Sequence, residues 1–252
     1  MVKFILSFFV LVFIGLVQPV MGQDDELKPT EGPIILGGIG LGGNLPMADM
    51  KDRYGSNLNF SLGGEFINQS NWLTNGEFIY MYGNHVKEDV LLPFRTSTGV
   101  IMGDDEQIAD IFMRERGWYL GAGTGRLFRI TKKSRSGIKL LVSGGLLQHN
   151  IRFVDERNAV GQLRIGRHKG YDRLTRGFAL KETIGYKHLS NDQRLNFDIA
   201  IDFIQGFTSE VRAYNFDTGL PTKSSRLDMM IGVRAVLYLA FYRRSSESVI
   251  YY

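Results

Sequence analysis

Along its last long segment the chain alternates. Every second position reads Leu227, Met229, Ile231, Val233, Ala235, Leu237, Leu239 and Phe241, all apolar. The interleaved set is Asp228, Met230, Gly232, Arg234, Val236, Tyr238, Ala240 and Tyr242, a mixture of charge, glycine and aromatics. A period of two over this length specifies a β-strand, because a helix would scatter the apolar set around its axis. Ordinary strands run about 5–6 residues, whereas a tilted membrane-crossing strand needs about 9–11. A face this long and this apolar predicts contact with lipid.

Seven further segments carry strand character, so that the set is 33–44, 57–68, 71–83, 117–130, 137–149, 177–189, 194–207 and 227–242. In the second, Leu58, Phe60, Leu62 and Phe66 oppose Asn59, Ser61 and Glu65; in the third, Trp72, Phe78, Tyr80 and Tyr82 oppose Asn75 and Glu77. Ile138, Leu140 and Val142 share a face, as do Phe178, Leu180, Ile184 and Tyr186, and Leu195, Phe197, Ile199, Ile201 and Phe203 stand against Asn196, Asp198 and Asp202. Residues 117–130 are too rich in glycine to assign a facing. Glu182 falls on the apolar face of its segment, which predicts a bulge, an interface or a shifted register.

The links between strands alternate in length. Three are short and polar (69–70, 131–136 and 190–193), and four are long (45–56, 84–116, 150–176 and 208–225). An even strand number with short turns on one side and long loops on the other is the pattern of an outer-membrane barrel, with both termini in the periplasm. Trp72, Tyr82, Trp118, Tyr119, Tyr186 and Tyr238 lie near strand ends and read as interfacial girdles. A soluble β-sandwich or lipocalin-like barrel explains the alternation but not the apolar outer face. The expected fold is therefore all-β, an eight-stranded antiparallel transmembrane β-barrel over residues 33–242.

Composition and charge narrow this picture. The 252 residues include no Cys, which removes disulfide frameworks, thiolate metal sites and a lipid-modified N-terminal Cys. Mean hydropathy is -0.09 and no internal apolar run approaches a membrane helix. The pI near 9.2 invites a nucleic-acid reading. Lys and Arg are dispersed among acids, however, and no nucleic-acid partner is expected. At the N-terminus Lys3 precedes an apolar run that ends at Gln18-Pro19, followed by Val20-Met21-Gly22. This predicts a secretory signal peptide, 1–22, cleaved after Gly22. Removing Lys3 leaves 29 basic and 26 acidic residues, a net charge of +3. A leader, 23–32, would precede the barrel and a tail, 243–252, would follow it, both periplasmic.

The inward faces hold Glu65, Glu77, Lys139, Lys181, Asp198, Asp202 and Arg234. An eight-stranded barrel is just wide enough for side chains to fill, and lone buried charges are too costly. These residues are expected to form a paired plug, with a polar conduit as the alternative. No catalytic, cofactor or metal site is expected. His149, with Ser143 or Asp155 as partner, matches no nucleophile–base motif. Asp104, Asp105 and His168 resemble a protease pair only in residue type. His85, His149 and these acids read as solvated rim residues, and Asp104-Asp105-Glu106 lacks calcium-loop spacing. Gly37–Gly43 and Gly121–Gly125 fit strand curvature and not a phosphate loop.

The long loops are more apolar than water-facing loops need. Residues 108–113 read as a short amphipathic helix begun by Asp104 or Asp105. The loop apolar groups either pack into a cap or dock a partner. For docking, the candidate contacts are Phe94, Ile111, Phe112, Tyr171 and Phe216, with Tyr251 and Tyr252 in a tail able to add to a sheet edge.

The Gly-Gln signal end, Tyr171-Asp-Arg-Leu-Thr-Arg-Gly177 before a strand, Gln205-Gly-Phe207 followed by Asn215-Phe-Asp-Thr-Gly219, and the Phe-Tyr-Arg-Arg…Tyr-Tyr end carry a resemblance. With these motifs the chain resembles small outer-membrane β-barrel proteins of Bacteroidota. The resemblance implies an accessory role in an envelope machine, such as type IX secretion or barrel assembly, and supplies no catalytic residues. The expected partners are outer-membrane lipid, lipopolysaccharide and envelope proteins. An outer-membrane enzyme acting on lipid A or peptides, and a small pore, are the alternatives.

Overall fold

The computed structural model describes residues 32–131, 134–164, 168–190, 195–222 and 225–242. Its frame is eight long strands: β1 (Ile34–Met47), β2 (Asn57–Ile67), β3 (Trp72–Gly83), β4 (Ile111–Arg129), β5 (Gly137–Asp155), β6 (Thr175–Leu189), β7 (Asn196–Glu210) and β10 (Arg226–Tyr242). A small hairpin, β8 (Tyr214–Asn215) and β9 (Leu220–Pro221), lies between β7 and β10, and one short helix, α1 (Ala48–Arg53), follows β1. Each long strand pairs antiparallel with its neighbour in sequence, and β10 closes on β1. Closure removes both sheet edges, which a lipid environment demands. The fold is the eight-stranded transmembrane barrel that the alternation predicts. The expected signal peptide, all but Gly32 of the leader, and the tail with Tyr251 and Tyr252 lie outside the described residues.

Outward positions form an apolar belt: Ile39, Leu62, Phe78, Leu120, Val142, Ile184, Ile201 and Val233 are all exposed. Inward positions are buried and mostly polar or glycine. The facing of β4 resolves because its glycines turn inward. At Gly121 a Cβ would stand 2.2 Å from the Tyr119 hydroxyl, so glycine is what lets that ring lie along the lumen. Tyr119 and Tyr238 are buried and point inward, so neither belongs to the girdle; Trp72 and Tyr186 remain on the outer wall.

Several strands run further than the sequence suggests. β4 and β5 each have 19 residues, against the roughly 9–11 needed to cross, and stand clear of the belt at the long-loop end. Residues 111–113 begin β4, paired to Asp155, Val154 and Phe153, and Met102 bridges Ile108 in antiparallel fashion. The expected helix over 108–113 is therefore absent. Its apolar spacing fits a helix or a strand equally well, and cross-strand hydrogen bonds to β5 decide for the strand. β1 continues through Pro46, which is possible because β2 stops pairing at Asn44 and the proline meets only β10. β6 pairs one-to-one with both neighbours across Glu182, so there is no bulge and no register shift. Glu182 stands on the outer wall, where among the described residues it accepts only from Gln205 Nε2 at 3.4 Å.

Candidate functional site

The lumen is filled in layers. Nearest the short-turn end, Glu65 from β2, Lys139 from β5, Lys187 from β6 and Asp198 from β7 converge. Lys139 Nζ lies 3.1 Å from Glu65 Oε1 and also bonds Asp198. Lys187 Nζ lies 2.7 Å from Glu65 Oε2 and 3.5 Å from Asp198 Oδ2, and rests 3.6 Å above the Tyr238 ring. The Tyr238 hydroxyl donates to Glu65 Oε1 at 2.8 Å. Two acids meet two bases, so the layer is neutral.

One layer further, Glu77 from β3, Lys181 from β6, Asp202 from β7 and Arg234 from β10 form a second neutral quartet. Arg234 donates to Glu77 Oε2 (2.9 Å) and to Asp202 Oδ2 (2.8 Å). Lys181 Nζ sits 2.6 Å from Glu77 Oε1 and 3.4 Å from Asp202 Oδ1. Thr183 donates to Asp202 at 2.6 Å, and Ser143 reaches Asn75, which bonds Glu77. Between the layers the space lined by Ser61, Glu65, Glu77 and Tyr238 is about 20 Å³, room for about one water. All seven lumen charges expected from the sequence are brought together here. Lys187 was not among them, although it shares the parity of Lys181.

At the long-loop end the lumen closes on hydrogen bonds. Asn44, Asn57 and Asn59 chain together, and Asn57 donates to both Glu115 carboxylate oxygens (3.0 and 3.1 Å). Contrary to the solvated-rim expectation, His149 is fully buried. Its Nε2 is 2.9 Å from Asp228 Oδ2 and its Nδ1 is 3.2 Å from the Tyr54 hydroxyl. Asp228 also accepts from Thr208 (2.5 Å) and Arg226 (3.0 Å). The proposed partners lie elsewhere: Ser143 donates to Asn75, and Asp155 accepts from Val160 N. Asp104 accepts from Gly161 N, and His168 Nδ1 sits 3.3 Å from Arg164 O. A Tyr–His–Asp array in the open could move protons. This one is walled off by α1 and ties β5, β7 and β10 together. Among the described residues no cluster of three or more His, Asp or Glu could hold a metal ion.

Above the lumen the four long loops are latched by ion pairs across the barrel mouth. Arg53, at the end of α1, donates to Glu88 (2.7 Å), Glu210 (2.5 Å), Thr175 Oγ1 (3.0 Å) and Arg173 O (3.3 Å). Arg173 bonds the other Glu88 oxygen (2.6 Å) and grips Asp217 with both terminal nitrogens (2.8 and 2.7 Å). One buried guanidinium thus joins elements from all four loops. Burial opposes the Arg53 charge, yet Glu88 and Glu210 hold it above its ordinary value. Nothing in the local alternation marks Arg53, because its partners lie 35 to 157 residues away.

Val90, Leu91, Ile101, Ala109, Val160 and Leu163 are buried beneath this latch. Three expected partner contacts turn into the cap instead: Ile111 packs on it, and Tyr171 sits between Phe94 (5.2 Å) and Phe216 (5.6 Å). They are half-buried because three loops share them. Phe112 and Phe216 stay exposed, at 58% and 59%.

No protein-family model and no curated protein matches the sequence. Among solved structures the fold is similar to Neisserial surface protein A (NspA), with 8% identity and a TM-score of 0.48 over 83% of this chain and 99% of that one. It is also similar to Ail, the attachment invasion locus protein of Yersinia pestis, in complex with the heparin analogue sucrose octasulfate. That match has 12% identity and a TM-score of 0.43, covering 83% of this chain and 99% of that one. The outer membrane protein OprG from Pseudomonas aeruginosa matches at 11% identity and a TM-score of 0.40, covering 84% and 97%. These likenesses concern barrel shape and carry nothing to individual side chains.

Proposed function

We propose that this protein is a non-enzymatic outer-membrane barrel that works through its surfaces, as an accessory or structural subunit of an envelope protein complex. The observation that carries this reading is Glu182. It stands on the lipid-facing wall between Leu180 and Ile184, midway along the apolar part of β6, and among the described residues Gln205 is its one hydrogen-bond partner. A carboxylate facing hydrocarbon there is destabilising, and a partner's transmembrane face bringing donors to Glu182 and Gln205 removes that cost. The sealed lumen favours the same reading, since it leaves the outer wall and the loop crown as the working surfaces. On the crown, Phe112, Phe216, Leu92 and Leu220 are exposed and offer a second apolar contact. In this reading the short-turn end, where Ile34 and Tyr242 pair, faces the periplasm. The tail 243–252, with Tyr251 and Tyr252, follows Tyr242 in the sequence and in this reading serves periplasmic partners.

The test is affinity purification of loop-tagged protein from mild-detergent extracts, comparing wild type with Glu182→Leu. A stoichiometric envelope complex that is lost in Glu182→Leu, while the variant barrel stays folded, is the expected result. Recovery of a lone barrel from wild type would overturn the subunit reading.

A further inference from the structure

The outer wall above the belt carries arginines that the lumen and the latch do not use. On β4, Glu115, Gly117 and Tyr119 point inward and are buried, so Arg114, Arg116 and Trp118 point outward. On β5, His149 and Ile151 point inward, so Gln148, Asn150 and Arg152 point outward. Register then sets their height. The last apolar ring is Phe78, Leu120, Leu146 and Phe178. The next is Tyr80, Trp118 and Gln148, then Tyr82, Arg116 and Asn150, and above these Arg114 directly faces Arg152. Successive rings are about 7 Å apart along a strand. The guanidiniums therefore begin one ring beyond the aromatic girdle, at the depth of lipid headgroups.

Arg114 and Arg152 are cross-strand neighbours of like charge, a destabilising arrangement when nothing lies between them. Among the described residues neither guanidinium has a hydrogen-bond or ion-pair partner, and Arg116 donates only to the carbonyl of Glu115 (2.6 Å). The nearby acids are committed or apart: Glu115, whose charge reaches Arg116, turns inward onto Asn57, Asp155 lines the cleft and accepts from Val160 N, and among the described residues Asp110 and Glu156 pair with none of the three arginines. Arg176 flanks the group but is spent on Gln148. Beside them opens a cleft of about 580 Å³, lined by Tyr80, Arg116, Asn150, Arg152, Arg164 and His168. Planar guanidiniums match phosphate oxygens two at a time.

We propose that Arg114, Arg116 and Arg152 form a binding site for the phosphate groups of a membrane glycolipid headgroup, with the cleft taking its sugar. The site rests on the outer-membrane reading above and names the lipid that reading leaves open. An anion between Arg114 and Arg152 converts their repulsion into two charge-assisted bonds.

The test uses the full barrel, purified in a neutral sugar detergent and checked for folding by heat-modifiable migration. Bis-phosphorylated lipid A, the same lipid with its phosphates removed, and inorganic phosphate are titrated, with binding read by native mass spectrometry and by thermal unfolding. Wild type is expected to retain the phosphorylated lipid at least about tenfold more tightly than the dephosphorylated one. The double variant Arg114→Gln/Arg152→Gln is expected to lose that preference, and Arg126→Gln, an outward arginine at the opposite end, to keep it. Arg152→Gln carries a sign test. Without lipid it is expected to melt higher than wild type by about 1–4 °C, because repulsion is relieved, and with saturating phosphorylated lipid it is expected to melt lower. Equal binding of the two lipids, or no effect of the double variant, would overturn the site. Inorganic phosphate competing at the same concentrations as the lipid would overturn the lipid as its ligand. Absence of heat-modifiable migration would instead defeat the membrane-barrel reading itself.

Discussion

At the scale of single residues, the decisive groups are those whose partners come from distant parts of the chain. Arg53 is the clearest, with four hydrogen-bonded partners drawn from three other loops or strand ends. Removing one side of a buried ion pair leaves uncompensated charge and costs about 3–5 kcal/mol. Arg53→Met is therefore expected to raise hydrogen exchange of loop amides in 84–110 and 168–174 while β2 and β3 keep their protection; unchanged loop exchange would show that the latch is not what orders the crown. Glu88 makes the latch pH-dependent. Burial alone would raise its carboxyl, but the Arg53 and Arg173 guanidiniums outweigh burial and hold it below its ordinary value of 4.5. A group depressed on folding stabilises fully above its unfolded value and loses that contribution as pH falls through the folded one. Loop protection is thus expected to be flat above about pH 4.5 and to fall below it, with Glu88→Gln flattening the acid limb. His149 teaches the same lesson: its neighbours in sequence suggest a rim residue, but its partners, Tyr54 and Asp228, lie 95 and 79 residues away.

Strands are where the sequence is most legible. All eight can be marked along the chain, six by alternation and the glycine-rich 33–44 and 117–130 without it, and the pattern places the lumen charges on the inward face with the right parity. Their ends are less legible, because alternation of apolar and polar residues fades once a strand leaves lipid while its hydrogen bonding continues. That is why Arg114 and Arg116 read as loop residues, although they continue the parity of Trp118. The same fading makes 108–113 resemble a helix. The quartets belong to this scale, since each draws one residue from each of four strands. Lys181→Met leaves Glu77 and Asp202 sharing Arg234 alone and is expected to lower barrel stability by about 3–5 kcal/mol in urea unfolding. Adding Glu77→Gln restores neutrality and is expected to recover most of the loss. A double variant no more stable than the single one would mean that packing, and not charge balance, sets the cost.

For the whole molecule, the two quartets, the asparagine and His149 layer, and the loop latch lie in series along one axis. Purified wild-type barrel is accordingly expected to give no resolved conductance steps in planar bilayers; discrete steps would show a passage past both quartets and return weight to the pore alternative. The class of fold is a property of pattern. Period-two alternation, even strand number and short–long links follow from lipid outside and hydrogen-bonded backbone within, so they are written along the chain where a reader can find them. Which charge meets which is a property of closure. Joining β10 to β1 sets the register that brings Glu77 opposite Arg234, 157 residues away, and seats His149 on Asp228. Folding the loops inward decides that Phe94, Ile111 and Tyr171 are cap while Phe112 is surface. Local sequence determined the wall of this barrel, and long-range contact, which no local pattern encodes, decided what fills and crowns it.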